Sequence, residues 1–268
     1  MTGTIEIDNV TFEYPDGTRA LESVAVSINA GGLVAIVGQN GSGKSTLVRH
    51  FNGLLRPTSG AVRLDGVDTS GRHVAKLART VGLLFQNPDR QIFAASVRRE
   101  VAFGPRNAGL RGRELDGAVA RALESVELSD AADAHPYDLG FSRRKLLALA
   151  SILAMETPIV VLDEPTTGQD AHGIALIQRI IRGLSDAGRT VIAISHDMRF
   201  VAETFQRVIV MRSGKVILDG APAQVFDEEH WPTLASTYLD PPLPALVGAR
   251  LRLGSTPTEA DLVTAMTQ

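Results

Sequence analysis

The stretch LVAIVGQNGSGKST, residues 33–46, constrains this chain more than any other. Five consecutive apolar residues read as a strand buried on both faces, the kind found in parallel sheets covered by helices. The run ends in a glycine-rich loop that fits G-x-x-x-x-G-K-[ST], with a helix expected to open at Lys44. Gly38, Gly41 and Gly43 let backbone N–H groups close on phosphate oxygens, and the helix N-terminus adds a favourable partial charge. Gln39, Asn40, Ser42 and Thr46 complete that loop. Lys44 is expected to reach the β- and γ-phosphates of a nucleotide, and Ser45 to ligate Mg²⁺.

Other segments repeat the buried-strand pattern: VGLLF (81–85), IVVL (159–162), TVIAI (190–194) and RVIVM (207–211). Helical segments are predicted between them, at about 44–53, 113–127, 143–155 and 172–187. Alternating strands and helices indicate an α/β fold with a parallel core sheet. Ile5, Ile7, Val10, Phe12 and Tyr14 nearly alternate, with a break near Asp8–Asn9, and SVAVSI (23–28) reads as a second strand. These suggest a small antiparallel β subdomain at the N-terminal end. Residues 97–140 read as a largely helical insertion between two core strands. After about residue 228 the periodicity fades, and DPPLPALVGARLRLGSTPTEADLVTAMTQ reads as an appendage of uncertain order, with Trp231 and Pro241–Pro242 deciding nothing about it.

Asp163 and Glu164 close the strand IVVL. Beside a phosphate loop, an Asp there holds Mg²⁺ through water and an adjacent Glu polarises the attacking water. His196 follows VIAIS at the end of another core strand. Gly38, Asp163 and His196 thus fall on three strand C-termini that can converge at one sheet edge, where ligands bind in such folds. A His there can donate to a γ-phosphate. Gln86, after VGLLF, offers an amide to Mg²⁺ or its water, and Tyr14, before the turn PDG, can stack on a base.

Composition narrows the partners. A formal net charge of −3 does not mark the whole surface as a nucleic-acid binder, and a strong basic stripe is missing, so no nucleic acid is expected as a partner. The absence of cysteine removes disulfides and thiolate metal sites. The opening MTGTIEIDNV goes directly into strand-like alternation, with no secretory signal visible. The longest apolar run, LLALASILAM, falls far short of the ~20 residues that span a bilayer. Any membrane role would need other chains.

Taken in order, GQNGSGKST, FQNP, VVLDEPT and SHD, with an aromatic at position 14, resemble the nucleotide-binding subunit of an ATP-binding-cassette (ABC) transporter from about residue 4 to 227. The resemblance implies a P-loop NTPase cassette over 1–228, with a helical subdomain at about 97–157 and the appendage at 229–268. It implies a head-to-tail dimer with two ATP molecules and Mg²⁺ at the interface, in which catalytic Glu164, His196 and Gln86 and the metal-binding Ser45, Gln86 and Asp163 act on ATP. FQNPDRQIFAASVRREVAFGPRNAGL is similar to the energy-coupling-factor group, importers of vitamins and transition-metal ions. That similarity implies a transmembrane coupling subunit met near Gln86, a substrate-binding membrane subunit, and a peripheral position on the cytoplasmic face of the membrane. Alternative functions are a nucleotide-dependent regulatory or half-active subunit paired with a second ATPase, and a non-transport cassette engine.

The family's signature, usually L-S-G-G-Q, falls on Leu139, Gly140, Phe141, Ser142 and Arg143, so LGFSR stands in its place. It is followed by Arg144 and Lys145, three cations in the first turn of a helix whose dipole disfavours them by ~0.3–1 kcal/mol each. In one reading Ser142 and Arg143 or Arg144 serve the phosphate of a partner subunit, making a homodimer. In the other the signature is impaired and the chain pairs with a different cassette. The inter-subunit loop also departs from the pattern, with Gln169 before Asp170 where Leu is usual.

Overall fold

Two sheets share one apolar layer, and each core strand has one side chain set in that layer and one set behind it. The computed structural model describes residues 3–267; Met1, Thr2 and Gln268, at the ends of the expected domains, lie outside the described residues. In the first sheet β1 (Ile5–Glu13) pairs antiparallel with β2 (Arg19–Ile28). After β3 (Leu33–Val37) and α1 (Lys44–Phe51), β4 (Ser59–Leu64) joins the other edge of β1, and β5 (Val67–Asp68) completes the order β2-β1-β4-β5. The break expected near Asp8–Asn9 is present: Asn9 has φ +47, and the β1–β2 register shifts between Ile7 and Val10.

The second sheet is the parallel core. A short α2 (Val74–Leu77) precedes β6 (Val81–Leu84), and three helices then intervene: α3 (Val97–Ala108), α4 (Gly112–Ser125) and α5 (Phe141–Leu153). The chain continues through β7 (Ile159–Asp163), α6 (Ala171–Asp186), β8 (Thr190–Ile194), α7 (Met198–Thr204), β9 (Arg207–Arg212) and β10 (Lys215–Gly220). Strand order is β10-β9-β3-β8-β7-β6, with β3, β6, β7, β8 and β9 parallel and β10 antiparallel at one edge.

Why LVAIV carries no polar residue is now visible. Val34 and Ile36 point into the layer between the sheets, against Leu47 and Phe51 of α1, while Leu33, Ala35 and Val37 face the helices behind. In β7, Ile159 and Val161 go one way and Val160 and Leu162 the other. Each fully buried aliphatic side chain contributes about 1.5–3 kcal/mol relative to exposure.

After β10 come α8 (Pro222–Val225), α9 (Trp231–Ala235), α10 (Leu243–Leu251) and α11 (Glu259–Thr267). These segments pack on the molecule: Phe226, Leu234, Leu239 and Ala245 are buried in the helix-side core, and Glu259 pairs with Arg199 at 3.0 Å. No helix among the described residues is long and apolar enough to cross a membrane.

Candidate functional site

Beyond Val37 the chain turns sharply, and glycine is required by space as well as by backbone angle. Gly38 has φ +143, and a Cβ there would lie 2.1 Å from the Met211 carbonyl oxygen. The loop is held from below by the β9–β10 turn, where Gly214 N–H donates to Ser42 O at 3.0 Å. Helix α1 starts without a side-chain cap or an acidic residue in its first turn, which leaves its N-terminal donors for an anion. Lys44, 6% exposed, folds its ammonium back onto the carbonyls of Gly38 (2.6 Å) and Gln39 (2.8 Å). Burial lowers its pKa, opposed by the nearby Glu164 and Asp163.

Asp163 ends β7 and is buried, which raises its pKa; the Ser45 hydroxyl hydrogen-bonds to it and works the other way. Glu164 sits in the left-handed region at φ +52, anchored by its N–H donating to Ile194 O at 2.9 Å. Burial, and then the charge of Asp163, push its carboxyl up to about 7. His196 Nε2 lies 3.2 Å from Glu164 Oε1, and burial, then Lys44, lower the imidazole pKa. Tyr14 stacks edge-on against Phe12, and its hydroxyl lies 3.0 Å from Thr46 Oγ1.

These groups surround one cavity of about 290 Å³, lined by Tyr14, Asn40–Thr46, Gln86, Asp163, Glu164 and His196. Thr18, Arg19 and Ala20 also line it; the end of the β1–β2 turn and the first residues of β2 place them there, and no motif marks them in the sequence. Gln39 lines an adjoining cavity of about 410 Å³ with Asn40, His196 and Tyr238. Among the described residues no group of three or more His, Asp or Glu can hold a metal unaided. Ser45 and Asp163 with a Gln86 amide nevertheless fit Mg²⁺, which typically takes one or two carboxylates and draws its remaining oxygens from phosphates and water.

None of the five residues LGFSR lines that cavity. Phe141, 40% exposed, lies over Gly168, where a Cβ would meet its ring at 2.6 Å. The Ser142 hydroxyl donates to Gln169 Oε1 at 2.8 Å, and the Gln169 amide donates back to Ser142 O at 3.2 Å. The two departures from the family pattern are therefore mated to each other. Asp170 caps α6 by accepting from Gly173 N–H at 2.8 Å.

The three cations also have partners within the chain. Arg143 pairs with Asp130 at 2.8 Å. Arg144 meets Asp89 at 3.0 Å, donates to Leu139 O at 2.7 Å and lies over the Tyr137 ring. Lys145, 1% exposed, donates to the carbonyls of Glu164 and Thr167. Burial lowers its pKa to about 8, opposed by Glu164 and Asp163.

A family model described as ABC transporter matches residues 21–167. The energy-coupling factor transporter ATP-binding protein EcfA of Methanothermobacter thermautotrophicus is 41% identical, over 96% of this chain and 83% of that one. The chain spans 40–44% of the length of some curated relatives and 81–85% of others. Among solved structures, cbiO1 from Clostridium perfringens, part of the ABC transporter complex cbiONQ, is 34% identical with a TM-score of 0.78, covering 94% of this chain and all of that one. A dimeric ATP-binding cassette in a post-hydrolysis state with ADP and Pi is 27% identical with a TM-score of 0.75, covering 81% and 98%.

Proposed function

The chain belongs to the ABC transporter family as an ATP-binding cassette, and on that premise we propose that it hydrolyses ATP to power import of a vitamin or a transition-metal ion through membrane partner subunits. One observation carries the reading: the ends of β3, β7 and β8 bring Lys44, Glu164 and His196 to a single cavity of about 290 Å³. Gly38–Thr46 hold the phosphates, Lys44 the β- and γ-groups, and Tyr14 stacks on the base. Ser45, Gln86 and Asp163 hold Mg²⁺, which when bound neutralises charge on the phosphates. Glu164 orients the attacking water and accepts its proton. With a pKa near 7, its carboxylate is poised for that transfer at neutral pH. His196, whose pKa burial and then Lys44 lower, donates to the γ-phosphate.

The membrane side is assigned to a groove of about 290 Å³ beside β6, with Leu54, Phe85, Phe93, Phe103 and Met155 among its lining residues. Phe93 and Phe103 stack edge-on there while 63% and 49% exposed. Buried Glu100 fixes the segment by accepting from the N–H groups of Phe93 (3.0 Å) and Ala94 (2.8 Å). A transmembrane coupling subunit docking here would place the cassette, peripherally, on the cytoplasmic face, with a separate membrane subunit holding the solute. A second cassette completes the ATP site, either a copy of this chain or a different subunit. Phe141 on Gly168 favours keeping the different subunit in view, because it fills space where the family has glycine.

Steady-state phosphate release by the purified chain, and the identity of proteins that co-purify with it, test this reading. ATP turnover with membrane proteins in the eluate supports it. Ribosomes or DNA in their place would move the chain to the non-transport class, and ATP binding without turnover, both alone and with the co-purifying proteins, would make it a regulatory subunit.

A further inference from the structure

We propose that Tyr238 is an interface residue of the nucleotide site, packing against a second copy of this chain when two cassettes close over the phosphate loop. The inference rests on the nucleotide reading above and adds a residue from the C-terminal segment to it. Tyr238 is 87% exposed, the most exposed large hydrophobic residue among those described. Its backbone is left-handed, φ +55.

The turn explains the angle but not the residue. Tyr238 N–H donates to Ala235 O at 3.0 Å and Leu239 N–H to Leu234 O at 3.2 Å. This pattern ends a helix through one left-handed residue, most often glycine. Glu127 and Arg252 take the same position after α4 and α10, where Leu128 and Leu253 N–H groups make the equivalent bonds at 2.9 Å. Their long polar side chains suit water; an aromatic ring does not. Leu234, Thr237 and Leu239 on either side are buried, while the ring stands in solvent. Ser236 is tied to Arg212 at 2.6 Å. A solvent-facing aromatic at a left-handed position costs strain, and among the described residues its side chain makes no hydrogen bond or ring contact.

Position supplies the use. Tyr238 lines the cavity of about 410 Å³ with Gln39, Asn40 and His196. Asn40 and His196 also line the phosphate cavity, so the two share a wall. A molecule that covers the phosphate cavity on its Asn40–His196 side would meet Tyr238. The chain's own LGFSR segment is not on either cavity, so the cover comes from another molecule. The related cassette with ADP and Pi is a dimer, which points to a second copy. An aromatic with few rotatable bonds is the kind of side chain that carries interface energy at a low entropy cost.

The test uses the full chain carrying Glu164→Gln, with solution mass followed against protein concentration in MgATP and melting followed without nucleotide. Tyr238→Gly and Tyr238→Asn relieve the left-handed strain, so the melting temperature is expected to rise by about 1–4 °C. The same variants are expected to weaken the ATP-dependent dimer about tenfold or more, while Tyr238→Phe keeps it. Undiminished dimerisation of the Gly and Asn variants overturns the proposal, as does a lower melting temperature, which would mean the ring serves the monomer. A parent that binds ATP yet stays monomeric overturns the second copy as occupant. A parent that fails to bind ATP overturns the nucleotide reading itself.

Discussion

The phosphate loop and the start of α5 begin alike. Each leads into a helix with no side-chain cap and no acidic residue in its first turn. At α1 the space in front of the helix is kept open: glycines stand where side chains would clash, and the neighbouring polar groups converge on a cavity. At α5 the first side chains pair with other segments instead. Phe141 covers Gly168, Ser142 and Gln169 exchange two hydrogen bonds, and each cation has its own acceptor. One backbone device thus has two settings: an open space lined by polar groups before α1, and side chains paired with other segments at α5. The α5 clasp also runs directly under Glu164, because Lys145 holds the Glu164 carbonyl while its backbone is left-handed.

Glu164→Gln should separate the two regions most widely. Hydrolysis falls about 10²–10⁴-fold while ATP binding survives, measured by phosphate release and nucleotide titration; rapid turnover by the variant would remove Glu164 as the base. The same substitution has a second readout. With its pKa raised from 4.5 to about 7, folded Glu164 retains a proton that the unfolded chain releases. Its contribution to stability is therefore present below about pH 4.5 and lost as pH rises to about 7. Denaturant unfolding across that window should show the slope in the parent, and a flatter one in the variant.

Lys145→Met comes next. It leaves the carbonyls of Glu164 and Thr167 without the ammonium, at a cost of about 1–3 kcal/mol in unfolding free energy. A neutral result would mean the clasp does not depend on the buried cation. Ser142→Ala and Gln169→Leu, singly and together, should show a coupling of about 0.5–1.5 kcal/mol in stability. Strict additivity would dissolve the pairing. Arg143→Ala is expected to change stability least, by about 0–1 kcal/mol, since its pair with Asp130 is exposed. A fall in hydrolysis by the assembled transporter at unchanged stability would assign the guanidinium to a partner's phosphate. An unchanged rate leaves it to Asp130.

Much of the sheet edge where β3, β7 and β8 end was legible in the chain itself. Residues 33–46 read as strand, loop and helix because burial on both sheet faces demands an unbroken apolar run, and because close approach to phosphate demands glycine at fixed offsets. The strands ending at Asp163 and Ile194 followed by the same logic, and their C-termini share an edge because the sheet is parallel. What the sequence could not show are pairings between distant positions with no periodic signal. Lys145 meets Glu164 and Ser142 meets Gln169 across 19 and 27 residues, and Arg144 reaches back to Asp89. The cations of RRK looked like a conflict with the helix dipole only because their acceptors are brought to them by folding. The same holds beyond residue 228, where weak local periodicity hid helices that are ordered by burying Leu234, Leu239 and Ala245 against the core. Local pattern set the elements; long-range packing decided which charges are already satisfied and which side chains remain free for a partner.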